Sequence, residues 1–441
     1  MFELKYIIFF FVLFIGVPIA VIFAKRFVWI EKSFWFLLLF FTASTEDINF
    51  FSMETYRGTS RGFEIGLVDI TAIILFFVIY SRKDKFPIKI PPASYIYFTY
   101  FTFSLISIIN SDVYIYSFFE LWKMVRMYFY FFVVYNLIRS FEDIEEFIKY
   151  MLIIVAYITL MVLKQKYLEG MFQVKGPFPH QNSLVMYMIV YGSIFLSYAL
   201  NAKKAKLYVW ITAFGAASVD IISTLSRGGM AVFSISIFLI FLLSYKTKFT
   251  AKKLGVTVLF FVCATGILYK ASDTIMERIQ TAPEESLNVR VVLAEAAQNM
   301  ANDKVFGVGL NNFGLKINPP YNYGEHIVRK DDDEKGGIVE TVYLLVAAET
   351  GWANLLVFIS FLMFFYIKNI RNYIALGKGK YKKYKYIPMA FIGCLTSMYL
   401  QSTMEWVLKQ TNNFYQMMFI FAVILVVSRL IEEGKKNEKS K

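Results

Sequence analysis

Apolar runs long enough to cross a lipid bilayer recur along almost the whole 441-residue chain. They fall near residues 6–23, 33–50, 66–81, 94–109, 124–139, 147–163, 183–200, 207–224, 229–245, 254–270, 341–367, 386–402 and 413–430. Each span needs roughly 20 apolar residues to cover the hydrocarbon core. Inside lipid every backbone N–H and C=O must find a partner within the protein, so such runs become helices. The sequence therefore predicts an all-α polytopic membrane protein with about 12–13 transmembrane helices. The second and fifth runs carry the weakest signal. Only two cysteines occur, Cys263 and Cys394, both inside apolar runs, so neither a disulfide framework nor a metal site is expected.

The net charge of +13 would suit nucleic-acid binding if it formed one basic patch. Instead the lysines and arginines sit in short loops between apolar runs. Basic connections occur at Lys25/Arg26/Lys32, Arg82/Lys83/Lys85/Lys89, Lys203/Lys204/Lys206, Lys246/Lys248/Lys252/Lys253, from Lys368 to Lys385, and in the tail after Lys435. They alternate with weakly charged loops, the pattern of positive loops on the cytoplasmic side. No nucleic-acid partner is expected, and without a P-loop or dinucleotide fingerprint no nucleotide either. On this topology residues 51–65, 110–123, 164–182, 225–228, 271–340 and 403–412 lie outside. The expected parts are a membrane bundle over 1–270, an extracytoplasmic loop with short helices over 271–340, further membrane helices over 341–430, and a basic cytoplasmic tail over 431–441.

The 271–340 loop holds 12 acidic and 7 basic residues in a chain that is otherwise strongly basic. Residues 288–302 show helical periodicity, with Val289, Val292, Leu293, Ala296, Ala297 and Met300 on one side. Asp331-Asp332-Asp333-Glu334 reads as a solvated acidic turn, because consecutive acids do not converge on one ion without a shaped loop. Arg278 and His326 read as solvated.

Candidate chemistry gathers at the predicted outer ends. Arg227, in Ser226-Arg227-Gly228-Gly229, lies between two spans beside two glycines that admit a ligand or a neighbouring backbone. A guanidinium at a membrane border either pairs with an anion or snorkels to the headgroups. Arg290 lies on the periodic outer helix, and two converging arginines would suit a diphosphate. Glu340 opens the span after the polar loop, followed by Tyr343. It is a candidate general base for an acceptor hydroxyl, or a carboxylate placed to suit a helix dipole. His180 and Asn182 follow the constrained turn Lys175-Gly176-Pro177, where the histidine can bind a sugar or phosphate or cap the next helix. Arg57 and Arg61 form a second outer arginine pair, candidates for lining a lipid-diphosphate cavity.

Taken together these marks resemble the O-antigen ligase / O-antigen polymerase family of bacterial membrane glycosyltransferases, over most of the chain. The resemblance rests on Tyr56-Arg57-Gly58-Thr59-Ser60-Arg61-Gly62 with Phe63-Glu64 and Val68-Asp69, on residues 176–182, and on Ser226-Arg227-Gly228-Gly229. It also rests on Arg290 with the 307–313 turn, on residues 343–352, and on Glu405-Trp406-Val407-Leu408-Lys409-Gln410. It implies that a polyprenyl-diphosphate-linked glycan is the donor and a glycan or glycolipid hydroxyl, such as lipid A-core, the acceptor. It implies that Arg227 and Arg290 hold the diphosphate, and that no metal or other cofactor takes part. The site would face the periplasm or outside from the cytoplasmic (inner) membrane. One departure stands out: Glu340-Thr341 occupies the place where ligases typically have His-Asn. A carboxylate can also serve as base, and a polymerase joining lipid-linked repeat units is the alternative. A transporter or flippase is a further alternative, but the charges cluster at one face rather than at mid-membrane in two matching halves.

Overall fold

The structure, a computed structural model, describes residues 2–44, 46–201, 207–262, 265–266, 284–325, 337–377 and 380–439. Arg278, His326, Cys263 and the Asp331–Glu334 run lie outside the described residues. The fold is a helical membrane bundle, as the apolar runs predict. Among the described residues, six helices are long and apolar enough to cross a membrane: Leu4–Arg26, Phe141–Leu168, Gln181–Asn201, Arg227–Thr247, Trp352–Ala375 and Thr411–Lys436. Shorter apolar helices, Leu67–Tyr80 and Leu207–Ser223, pack among them.

Two helices form the centre. In Gln181–Asn201 the whole of the most apolar window is buried, and in Thr411–Lys436 nearly all of it. Both are apolar around most of their circumference, which suits a helix enclosed by others. Gln181–Asn201 packs against Leu207–Ser223, Arg227–Thr247 and Tyr386–Gln401. Leu4–Arg26 lies at the periphery, with Ile7, Phe14 and Ile22 each more than 60% exposed, as a lipid-facing helix would be.

Among the described residues, basic connections meet acidic partners and weakly charged loops meet one another. Arg82 pairs with Glu31, Lys32 with Asp143, and Lys368 with Glu432. Asn110 donates to the Gly307 carbonyl, Ser117 to the Leu310 carbonyl, and Lys316 pairs with Asp112.

Two expected spans are interrupted. The 33–50 run divides into the helix Val28–Phe40 and the strand Asp47–Ser52 (β1), which pairs antiparallel with Gly62–Gly66 (β2). The register sets Asp47 opposite Gly66 and Asn49 opposite Glu64, with an irregularity before Ser52. A 13-residue helix covers only ~20 Å, so Val28–Phe40 is shorter than the ~30 Å hydrocarbon core. The β-prone Ile48-Asn49-Phe50-Phe51 then folds back as a hairpin instead of continuing the helix.

The 341–367 run breaks at Gly351 into Val342–Thr350 and Trp352–Ala375. Gly351 has φ +86°, and a Cβ there would overlap the Val305 carbonyl. The break exists because residues 305–309 wrap the end of the short helix. Val308 N and Gly309 N donate to the carbonyls of Ala348 and Glu349 at 2.8 and 3.1 Å. Those donors satisfy C-terminal carbonyls that would otherwise lack partners.

The outer helix predicted over 288–302 runs from Glu284 to Asp303. Leu293, Ala296, Ala297 and Met300 are buried, on the predicted face, against Leu345, Ala348, Phe313 and Val339. The helix has no core of its own and rests on Val342–Thr350.

Candidate functional site

Arg227 is the first residue of the helix Arg227–Thr247, whose N-cap is Ser226, with Ser226 Oγ accepting from Gly229 N at 3.3 Å. The second glycine has a packing reason: a Cβ at Gly229 would overlap Val185 on the central helix. Gly228 by contrast meets only the end of Met404 at ordinary contact distance. So Gly229 serves helix packing, and the pair of glycines is not by itself a sign of a ligand. The Arg227 side chain is exposed and has no hydrogen-bond or ion-pair partner among the described residues.

Arg227 lines a cavity of about 250 Å³ together with Arg290, Asn182, Gln401, Met404 and Glu405. Four elements meet there: the start of Arg227–Thr247, the start of Gln181–Asn201, the outer helix Glu284–Asp303 and the loop after Tyr386–Gln401. Gln401 is buried and its Oε1 lacks a partner among the described residues, while its Nε2 donates to the Asn182 carbonyl at 3.3 Å.

Unlike Arg227, Arg290 is already engaged. One of its terminal nitrogens lies 2.6 Å from Glu340 Oε2 and 3.1 Å from Glu405 Oε1. Asn182 Nδ2 donates to the same Glu405 oxygen at 2.5 Å. Two carboxylates thus share one guanidinium. Partial burial raises both carboxyls above the ordinary range. For Glu405 burial is the largest cause and the neighbouring charge of Glu340 the next, opposed by Arg290, and together they bring it to about 7.

Glu405 lines a second cleft as well, of about 450 Å³, on the other side of the carboxylate pair. Glu340, His180, Arg61, Asp47, Glu64 and Trp406 line it too. His180 Nδ1 accepts from Asn182 N at 3.2 Å, so the ring caps the central helix while forming part of the cleft wall. Desolvation first, then the charges of Arg290 and Lys175, keep His180 below its ordinary pKa and so neutral at pH 7. The preceding turn is held by Gln165, whose Oε1 accepts from Gly176 N and Lys175 N at 2.8 and 3.0 Å.

The sequence candidates therefore divide. Arg227, Arg290 and Asn182 share the first cavity; Glu340, His180 and Arg61 share the second. Arg57 is exposed and lines neither. Tyr343 lines neither; its hydroxyl donates to the Tyr399 carbonyl at 3.0 Å, a contact between two helices. The residue that sequence reasoning left outside the site is Glu405, the one carboxylate common to both walls. Its signal was a carboxylate next to a tryptophan in a short outer loop.

Beneath the clefts lies a second set of charges, fully buried. Glu120 and Lys123 from the helix Tyr114–Leu137 meet Glu349 and Lys409. Glu120 Oε2 lies 2.6 Å from Lys123 Nζ and accepts from the hydroxyls of Thr59 and Ser60 at 2.8 and 2.6 Å. Lys409 Nζ lies 3.4 Å from both Glu120 and Glu349. Two cations and two anions make the group neutral, so it is tolerated in a dry interior. It ties the hairpin loop carrying Arg61 to the loop carrying Glu405, since Lys123 Nζ also donates to the carbonyls of Thr59 and Lys409. Asn311, fully buried, clamps the same hairpin loop by accepting from Thr59 N and donating to the Ser60 and Tyr116 carbonyls. A second buried set joins Arg126 to Asp69 at 2.8 Å and to Glu64 at 3.5 Å, with Tyr415 donating to Asp69.

No curated protein matches this chain. The region from the helix Leu207–Ser223 through Arg227, Arg290 and Glu340 to Trp352–Ala375 is different, because residues 212–359 match a family model described as O-antigen ligase. That match covers about a third of the chain and agrees with the sequence resemblance: over these residues the chain is similar to the O-antigen ligase family.

Proposed function

We propose that the protein transfers a glycan from a polyprenyl diphosphate to a sugar hydroxyl at the end of the bundle where the weakly charged loops meet, facing out of the cytoplasm. The observation that carries this reading is the position of Glu405, between a cavity holding an unpaired arginine and a cleft lined by carboxylates. The donor diphosphate binds in the first cavity. Arg227 and the N-terminal N–H groups of its helix are placed to receive it, because a helix start favours anions. Arg290 bridges the first cavity and the carboxylates.

In the reaction the acceptor oxygen forms a bond to the anomeric carbon as the bond from that carbon to the diphosphate breaks. The leaving electron pair goes to the diphosphate oxygen, where the arginines stabilise the charge. The acceptor proton goes to a carboxylate. Glu405, at about 7, is matched to that task near neutral pH. Glu340 holds Arg290 from the other side and keeps Glu405 from ionising too readily. Glu340 was the base expected from the sequence; the assignment moves to Glu405 because Glu405 alone lines both cavities.

Arg227→Ala tests the reading in cells that assemble the glycan. The variant should insert at normal levels and lose surface glycan, by ~10²–10³ in rate if the guanidinium stabilises the leaving group. Normal glycan from Arg227→Ala would overturn the transferase reading. Chain length separates the two branches. With a ligase, loss of activity leaves long chains on the lipid carrier; with a polymerase, it leaves single repeats.

A further inference from the structure

The two cavities flanking Glu405 differ in charge, and the difference bears on which glycans the second one accepts. The first is lined by Arg227 and Arg290 against the single carboxylate Glu405. The second is lined by Asp47, Glu64, Glu340 and Glu405 against the single cation Arg61. The cations behind the second cleft do not reverse this. Arg126 is shared by two carboxylates, Asp69 and Glu64, and Arg290 by Glu340 and Glu405, so each cation offsets only part of its acidic pair. The cleft keeps a small net negative charge even with Glu405 half ionised at pH 7. Burial and then Glu64 push Asp47 up to about 6, which leaves it mostly ionised there. His180 on the wall is neutral at pH 7.

The cleft also carries the groups that recognise a sugar. Trp406 is half-buried, packed on the outer-helix cluster, with part of its surface on the cleft. Gln410 and Asn412 lie beyond it, and Asn412 is fixed by donating to the Thr42 carbonyl at 2.7 Å. An aromatic face with amides and carboxylates around it binds the C–H face and the hydroxyls of a pyranose. The negative surround repels a uronic acid or a phosphorylated sugar and accepts a neutral or amino sugar, since like charges across an interface are penalised.

We infer that the 450 Å³ cleft is a binding site for a neutral or amino-bearing glycan, seated on Trp406, and that its carboxylates exclude acidic glycans. Calling this glycan the acceptor rests on the transferase reading; its binding and charge preference do not.

The test is a binding titration of the purified full-length protein in lipid nanodiscs. The probes are maltotriose (neutral), a glucosamine trimer (cationic), a galacturonic acid trimer (acidic), and inorganic pyrophosphate for the first cavity. The neutral and cationic trimers should bind at least tenfold more tightly than the acidic one, and Trp406→Ala should abolish the difference by removing trimer binding. Asp47→Lys should narrow the gap by roughly tenfold through charge alone. Arg227→Ala should leave trimer binding intact while removing pyrophosphate binding. Equal binding of acidic and neutral trimers, no trimer binding at all, or full binding to Trp406→Ala would each overturn the inference. Failure of pyrophosphate to bind, with the trimers still discriminated, would count against the donor site and the transferase reading alone.

Discussion

The rate of transfer should follow the ionisation of Glu405. With its carboxyl at about 7, the proton-accepting form makes up ~10% of molecules at pH 6 and ~90% at pH 8. If Glu405 takes the acceptor's proton, the rate rises about ninefold over that interval and then levels. The cause of the raised value makes the prediction sharper. Burial is the largest contribution, Glu340 is the next, and Arg290 opposes both. Glu340→Gln removes the like charge and leaves Arg290 to Glu405 alone, so the midpoint moves to lower pH. A midpoint near 6 would shrink the gain between pH 6 and 8 to about twofold. The assay uses right-side-out vesicles from glycan-producing cells, which carry their own lipid-linked donor, buffered from pH 5.5 to 8.5. A flat wild-type profile, or an unmoved midpoint in Glu340→Gln, would refute the reasoning.

Proton linkage gives an independent check of the same group. A carboxyl raised in the folded state stabilises the protein at low pH, and that contribution is lost as pH rises through the folded value. The difference between about 4.5 unfolded and about 7 folded corresponds to about 3 kcal/mol lost between those pH values. Glu405→Gln has no such proton to lose. It should cut the rate by ~10²–10⁴ yet melt at a higher temperature than the wild type at pH 8. A variant both inactive and destabilised at that pH would point to a structural role instead.

Arg290→Ala should differ from Arg227→Ala: it strips two carboxylates of their cation, so the residual activity should show a midpoint above the wild-type value, while Arg227→Ala leaves the midpoint in place. Both are read in the same vesicles. Glu120→Gln should destabilise the protein by about 3–5 kcal/mol, because it leaves Lys123 and Lys409 buried together without their anion; thermal unfolding in detergent measures this, and adding Lys409→Met should restore part of it. Gly351→Ala should cost about 1–3 kcal/mol, because alanine disfavours φ +86° and its Cβ would displace the Val305 carbonyl; the same melts check it.

What was legible in the sequence was whatever acts locally or through the bilayer. Span length, loop charge and the apolar face of the outer helix each follow from a rule that needs only neighbouring residues. The two interrupted spans show where those rules stop. Phe50 and Phe51 extend the hydropathy of the 33–50 run, but hydropathy cannot distinguish a membrane helix from a β-hairpin resting on the bundle. Gly351 sits in an unbroken apolar run, and the reason for the break is a backbone turn at Val305, 46 residues earlier in the chain. The site followed the same division. Arg227, Arg290 and Glu340 could be picked out as outer charged residues, but pairing Arg290 with Glu405 spans 115 positions. Arg57 and Arg61 look equivalent as a sequence pair, yet Asn311 fixes their loop so that only Arg61 reaches the cleft. The two buried charge groups did leave a mark. Glu120, Lys123 and Arg126 fall three apart on one face of an apolar helix, and charges inside such a helix require partners there.

The quartet of Glu120, Lys123, Glu349 and Lys409 explains how a short loop can hold a reacting carboxylate still. Glu405 lies in an irregular connection between Tyr386–Gln401 and Thr411–Lys439, where backbone order has to come from outside the loop. It is supplied at several points. Lys123 binds the Lys409 carbonyl, Gln410 bonds to Ser183, and Asn412 bonds to the Thr42 carbonyl. Asn182 and Arg290 then fix the carboxylate itself. The ties come from several elements of the bundle, the helices Tyr114–Leu137, Gln181–Asn201 and Glu284–Asp303 and the turn at Thr42, so moving Glu405 requires moving the packed core with it. Arg227 has the opposite character, exposed and without a partner among the described residues. On the proposed mechanism the base is thus held by the protein before any substrate arrives, while the cation facing the first cavity is left for an incoming anion. Preorganisation of one group and vacancy of the other are both needed if charge is to be stabilised only as it develops.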